Sequence, residues 1–223
     1  MHIPDGFIDI KTSAAFAAAS ALAVAGAVKG ARSQLSEQSA PLAGLTAVFI
    51  FAVQMLNFPV AAGTSGHLIG AALAMVLVGP YAATLALVVV LIIQAFLFAD
   101  GGLTALGLSI FNMAVISVWV SFAVFMLLKK IFPKTKSWLV IATFVSALIS
   151  VPAAAVGFVI QYAIGANATF SVGAVLNAMV GTHILIGIGE AIITALTVSA
   201  VLASRSDLVF GWDKKNTTLK IRS

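Results

Sequence analysis

The chain has 223 residues, of which 61% are hydrophobic and only 9% charged. A soluble domain carries roughly 25% charged residues, so there is too little charge here to coat a water-facing surface. With no cysteine, disulfides and thiolate metal sites are excluded together. The formal charge of +5 comes from Lys and Arg placed between apolar runs, which suits topology signals better than nucleic-acid binding.

Runs of roughly 18 or more apolar residues read as membrane-spanning helices. Seven such helices are expected in chain order, giving an all-α polytopic bundle as one domain over residues 1–223. The first runs from about Thr12 to Val28 and follows a short N-terminal segment, residues 1–11, expected to lie on the outer side. The second spans Leu42 to Asn57, with Pro41 in its first turn and Pro59 as its stop. The third runs from Ser65 to the Gly79-Pro80 break, the fourth from Ala82 to Phe98, and the fifth from Ala105 to Leu128. The sixth covers Trp138 to Ile164 with Pro152 as a kink. The seventh covers Ala174 to Ala203, leaving 204–223 as a solvated basic tail.

Lys and Arg concentrate on the cytoplasmic side of membrane proteins. With seven spans and the N-terminus outside, every basic residue except Lys11 falls inside. They lie in the 1–2 connection (Lys29, Arg32), in the 5–6 connection (Lys129, Lys130, Lys134, Lys136) and in the tail. A prokaryotic plasma membrane and a cytoplasmic C-terminus follow as expectations. The third span is short, about 14 residues or roughly 21 Å at 1.5 Å per residue. The stretch Pro59 to Gly66 is therefore expected to dip below the outer surface, and irregular backbone at that depth needs protein around it. His67, with Thr64 or Ser65 as N-cap, is expected in the first helical turn beside this sunken stretch.

Two histidines dominate the chemistry. His2 follows Met1, and a large second residue favours retention of the initiator. The Met1 amine, the His2 amide nitrogen and the His2 ring Nδ1 can close fused five- and six-membered chelate rings on one ion. His67 is the candidate fourth nitrogen, completing a flat set suited to Ni(II) or Cu(II). A short tail without partners is the alternative for Met1-His2, and a hydrogen-bonded structural role is the alternative for His67.

Other polar residues stand inside or beside the apolar runs. Glu190 and His183 lie seven apart, on one face of the last span. Glu190 reads either as a relay for a cation or proton, or as an acid fixing helix packing. Asp100, in the turn Asp100-Gly101-Gly102, either offsets a metal's charge and holds a ligand imidazole or is a plain turn acid. Asn57, Gln94 and Asn112 suggest interhelical hydrogen bonds. Ala43 and Ala47, four apart on the second span, permit a close helix contact, internal or with a partner.

The opening Met1-His2-Ile3-Pro4-Asp5-Gly6 resembles the start of the CbiM/NikM family, the substrate-binding membrane components of energy-coupling factor transporters for cobalt and nickel. Gly63-Thr64-Ser65-Gly66-His67-Leu68, Ala99 to Gly107, and Gly181-Thr182-His183 through Glu190 are similar to that family's other segments. The resemblance implies seven spans, an external N-terminus, and a Ni2+ or Co2+ substrate held by Met1, His2 and His67. It also implies a transmembrane coupling subunit, ATP-binding subunits and a small accessory membrane protein as partners. Pro4-Asp5 and the lack of cysteine lean toward the nickel-type pattern, with nickel and cobalt both in play. The chain has no G-x-x-x-x-G-K-S/T phosphate loop, so ATP hydrolysis is expected elsewhere and the chain is not read as an enzyme. A stand-alone proton- or cation-coupled transporter or channel using Glu190 is the second reading.

Overall fold

In an apolar solvent a backbone has no hydrogen-bond partner but itself, so long apolar runs become helices. A computed structural model describes residues 1–34, 39–60 and 64–212. Part of the connection expected to be sunken (Ala61-Ala62-Gly63) and the basic tail from residue 213, with Lys214, Lys215, Lys220 and Arg222, lie outside the described residues.

The helices are α1 (Ile10–Gln34), α2 (Ser39–Gln54), α3 (Ala71–Val78), α4 (Pro80–Leu97), α5 (Leu106–Ile110), α6 (Ser117–Ile131), α7 (Lys136–Gly165) and α8 (Val172–Ser204). A π-helical turn, Phe111–Ile116, joins α5 to α6 without a break. Each of the seven expected segments contains a helix. Among the described residues, five stretches are long and apolar enough to cross a membrane: Ile10–Ser33, Pro80–Leu97, Leu106–Ile131, Lys136–Gly165 and Val172–Ser204. The helix in α2 is shorter, at 16 residues.

The third segment departs from expectation. Its helix has 8 residues, Ala71–Val78, which is about 12 Å of rise. The residues before it form half of a small antiparallel ribbon, β1 (Phe58–Val60) with β2 (Thr64–Gly66), in register Phe58↔Gly66. His67 therefore precedes the helix rather than occupying its first turn, and neither Thr64 nor Ser65 is the cap. The cap is Gly70, at φ 77°, a left-handed conformation that suits glycine and ends helical winding in the N-terminal direction.

This short helix is the centre of the packing. Seven of its residues are buried, and it touches α2, α4, α6, α7 and α8. Ala71, Ala72 and Ala74 let the surrounding backbones approach closely. Around it, α7 and α8 pack along their length and α1 lies against α4 and α5. Ala43 and Ala47, both half-buried, pack against this core from α2. Pro152 lies within α7. The segment after α8 is not free. Phe210 N donates to Val76 O at the end of α3 (2.7 Å) and Lys129 Nζ donates to Gly211 O (2.5 Å). The start of the predicted solvated tail is thus packed, because its backbone meets the open carbonyl end of α3.

The crossing of α1 and α5 depends on Gly107. A Cβ there would overlap the backbone of Ala17, and the Gly107 carbonyl accepts from Ser20 Oγ (2.7 Å). Gly107→Ala is expected to lower stability by ~1–3 kcal/mol through overpacking. A thermal unfolding midpoint in detergent equal to that of the unsubstituted protein would show that the helices do not approach this closely.

Candidate metal centre

The site is built on the first nine residues, which are not a loose tail. Met1 and Ile3 are fully buried and His2 is 4% exposed. Ile3 donates its N–H to Ser109 Oγ (3.4 Å) and accepts from Gly102 N (2.8 Å). Asp5 grips the same connection: its Oδ1 accepts from Thr104 N (2.8 Å) and Thr104 Oγ1 (2.5 Å), and its Oδ2 accepts from Leu103 N (3.3 Å). These bonds, the Thr104 hydroxyl first, hold the Asp5 carboxyl below its ordinary range. A turn closed by Phe7 N and Pro4 O, with Gly6 at φ 75°, reverses the chain. Phe7 then packs against Tyr162, ring centroids 5.1 Å apart. Asp9 ends the arm as the cap of α1. Its Oδ1 accepts from Lys11 N (2.8 Å) and Thr12 N (2.9 Å), and its own N–H donates to Gly165 O at the end of α7 (2.7 Å).

So anchored, the arm sets the His2 ring beside the His67 ring, with centroids 4.9 Å apart and planes tilted by 31°. Gly101, at φ 92°, makes room for it: a Cβ there would stand 3.1 Å from His2 Nδ1. His2 Nε2 lies 3.6 Å from Asp100 Oδ2. Asn57 Nδ2 reaches both Asp100 oxygens at 3.4 Å. Asn57 lies beyond the end of α2 rather than within it.

The His67 ring is fully buried, and its Nδ1 is 2.7 Å from Leu68 O. A carbonyl only accepts, so Nδ1 carries the proton and Nε2 keeps its lone pair. That Nε2 is buried without a hydrogen-bond partner among the described residues. His183, on α8, repeats the pattern: Nδ1 donates to Met179 O (2.7 Å) and Nε2 is buried and unpartnered. It is within electrostatic reach of His67 and of the Met1 amine.

Burial sets the protonation states. It lowers the Met1 amine to about 4, against the opposing pull of Asp100. It lowers His2 to about 3, helped by the adjacent amine. It raises Asp100, against the amine and the Asn57 hydrogen bond. At pH 7 the amine and the His2 ring are thus neutral bases with free lone pairs, the form that binds metals. Among the described residues no group of three or more His, Cys, Asp or Glu side chains is arranged to hold an ion. What lies together here is two imidazoles, with the Met1 amine within electrostatic reach of both.

Of the other expected residues, Glu190 accepts from Ile69 N (2.6 Å) and Gly70 N (3.0 Å), just beyond His67. Asn112, on the π turn, donates to Gln161 Oε1 (2.7 Å) rather than to the arm. Gln94 is buried with neither amide atom bonded among the described residues. Sequence reasoning missed Gln54, whose Nε2 donates to Ile69 O (2.7 Å). A glutamine at the end of an apolar run was the available signal. It also missed the arm's clamps, Thr104 and Ser109, which no spacing rule connects to residues 3 and 5.

A family model described as the cobalt uptake substrate-specific transmembrane region, CbiM, matches residues 2–208. The chain belongs to the CbiM family. It is 40% identical over 212 residues to a Haloquadratum walsbyi protein named as a metal transport protein, covering 94% of each chain. It is 38% identical to an Archaeoglobus fulgidus protein named as a fused nickel transport protein, covering 94% of this chain and 68% of that one. A crystal structure described as a truncated transition metal transporter superposes with a TM-score of 0.84 at 31% identity, covering 91% of this chain and 99% of that one. The CbiM match thus takes in the arm from His2, the ribbon, the His67 segment and all eight helices.

Asp5 is the arm's most accessible fastener. A carboxyl held below its ordinary value stabilises the docked arm above that value, and the contribution is lost as pH falls through the depressed one. Asp5→Ala should expose the Met1 amine to acylating reagents about tenfold faster at pH 7, as expected for losing ~1.5 kcal/mol of hydrogen bonding to a charged group. Equal labelling rates would show that the arm is held by other contacts.

Proposed function

We propose that this chain is the substrate-binding component of an energy-coupled importer of Ni2+ or Co2+. The ion is the cargo. It is held by four nitrogens in a plane: the Met1 amine, the His2 amide, His2 Nδ1 and His67 Nε2. The observation that carries this reading is the burial of Met1 and His2 beside an imidazole whose lone pair has no partner among the described residues. An unpaired buried nitrogen costs free energy, and a Lewis-acidic cation would use it. Chelation through His2 Nδ1 leaves Nε2–H 3.6 Å from Asp100 Oδ2, a carboxylate that on closer approach would orient the ring as carboxylates beside metal-bound imidazoles do. Deprotonating the amide demands an ion such as Ni(II), which favours square-planar nitrogen donors. Family membership and the relatives' names support the metal class.

Energy comes from separate ATP-binding subunits through a transmembrane coupling subunit, with a small accessory membrane protein as a further partner. The chain itself carries no phosphate loop. In this reading it crosses a prokaryotic plasma membrane seven times. The arm faces outward and the basic connections and C-terminus face the cytoplasm. Glu190 as a proton relay is less well supported, since both of its oxygens are taken by main-chain amides.

One residue added before Met1 replaces the amine with an amide and should abolish nickel binding, read by calorimetry on the purified chain. His2→Ala and His67→Ala should each weaken it by about 100-fold or more. Because the His2 amide loses its proton, about one proton should be released per ion at pH 7, measured in two buffers of different ionisation enthalpy. Retained affinity in the extended chain would sink the four-nitrogen assignment.

A further inference from the structure

His67 is carried by a four-residue strap, residues 67–70, between β2 and α3. The strap is gripped from two sides. Glu190, 2% exposed on α8, accepts from Ile69 N with Oε2 (2.6 Å) and from Gly70 N with Oε1 (3.0 Å). Gln54, fully buried at the end of α2, donates to Ile69 O (2.7 Å). The strap has little freedom between these holds. Gly70 is left-handed, and a Cβ there would be 2.8 Å from Ile50. The His67 ring is itself bonded to the strap through Leu68 O, so the direction of Nε2 follows the strap's backbone.

We propose that Glu190 is a positioning residue for the metal ligand His67, with Gln54 as its counter-hold. The relative placement of α8 and α2 then sets how long the ion stays bound. The inference rests on the four-nitrogen reading above and assigns Glu190 a place in it. Glu190 acts through two amides, and each of its oxygens serves a different one. A glutamine of the same shape offers one acceptor and turns an NH2 group toward the other N–H, so Glu190→Gln breaks the grip with little change in volume.

The test uses the purified full chain in detergent, with Ni2+ as the probe. Affinity, dissociation rate and the visible ligand-field band of bound nickel are read together with the melting temperature of the metal-free protein. Glu190→Gln is expected to weaken binding about 10- to 100-fold, the usual effect of removing a support behind a metal ligand. The loss should appear as faster dissociation, and the band should move toward that of His67→Ala, in which solvent replaces the fourth nitrogen. Glu190→Asp keeps two acceptor oxygens and should recover part of the loss. Gln54→Met removes only the other hold and should shift band and rate the same way. A purely structural acid would instead lower the melting temperature and leave the band in place, which overturns the proposal. So does wild-type affinity and band in Glu190→Gln. Should Glu190→Gln fail to fold, an unmoved band in Gln54→Met overturns it equally. Failure of the unsubstituted chain to take up nickel overturns the four-nitrogen reading and this inference with it. Normal uptake there, with unaltered binding in the variants, overturns this inference alone.

Discussion

A chain terminus buried among protein atoms gives up its hydration, and the structure depends on how that loss is met. An ammonium in such a place would be heavily penalised, so burial favours the neutral amine. The main-chain bonds of Ile3 to Gly102 and Ser109, and the grip of Asp5 on Thr104, hold the amine there against the entropy of a free terminus. Without them the first residues would be a solvated strand, and the His2 ring would have no reason to lie against His67.

The rest of the fold serves the same end. Long helices wall the bundle, while α3 stops short and leaves room for the ribbon and strap at the arm's end of the molecule. The irregular backbone there is enclosed, and the main-chain groups of Ile69 and Gly70 are met by Glu190 and Gln54. Glu190 in α8 and Gln54 at the end of α2, two of the buried polar side chains inside helices, thus lie where the strap's backbone offers amides and a carbonyl to pair.

Much of this was legible in the sequence. Apolar runs and Pro/Gly breaks located the helical segments, and the third was expected to be shorter than its neighbours, as it is. The pairing of His2 with His67 followed from donor chemistry. Reading stopped where contacts bridge distant segments. The helical placement of His67 failed because periodicity cannot show that Gly70 adopts φ 77° or that an acid 120 residues away satisfies its N–H. The π turn around Asn112 has no local signature, and the docking of residues 209–212 depends on a carbonyl end that only the folded chain presents.

The returning segment after α8 gives α3 an unusual mounting. One end of this small rod receives Glu190 from the flank of α8, and the other receives the Phe210 amide from the continuation of the same helix. Two turns of helix are too short to bend appreciably between such fastenings. α8 therefore brackets α3 at both ends, through Glu190 at its cap and through the chain that leaves its own C-terminus.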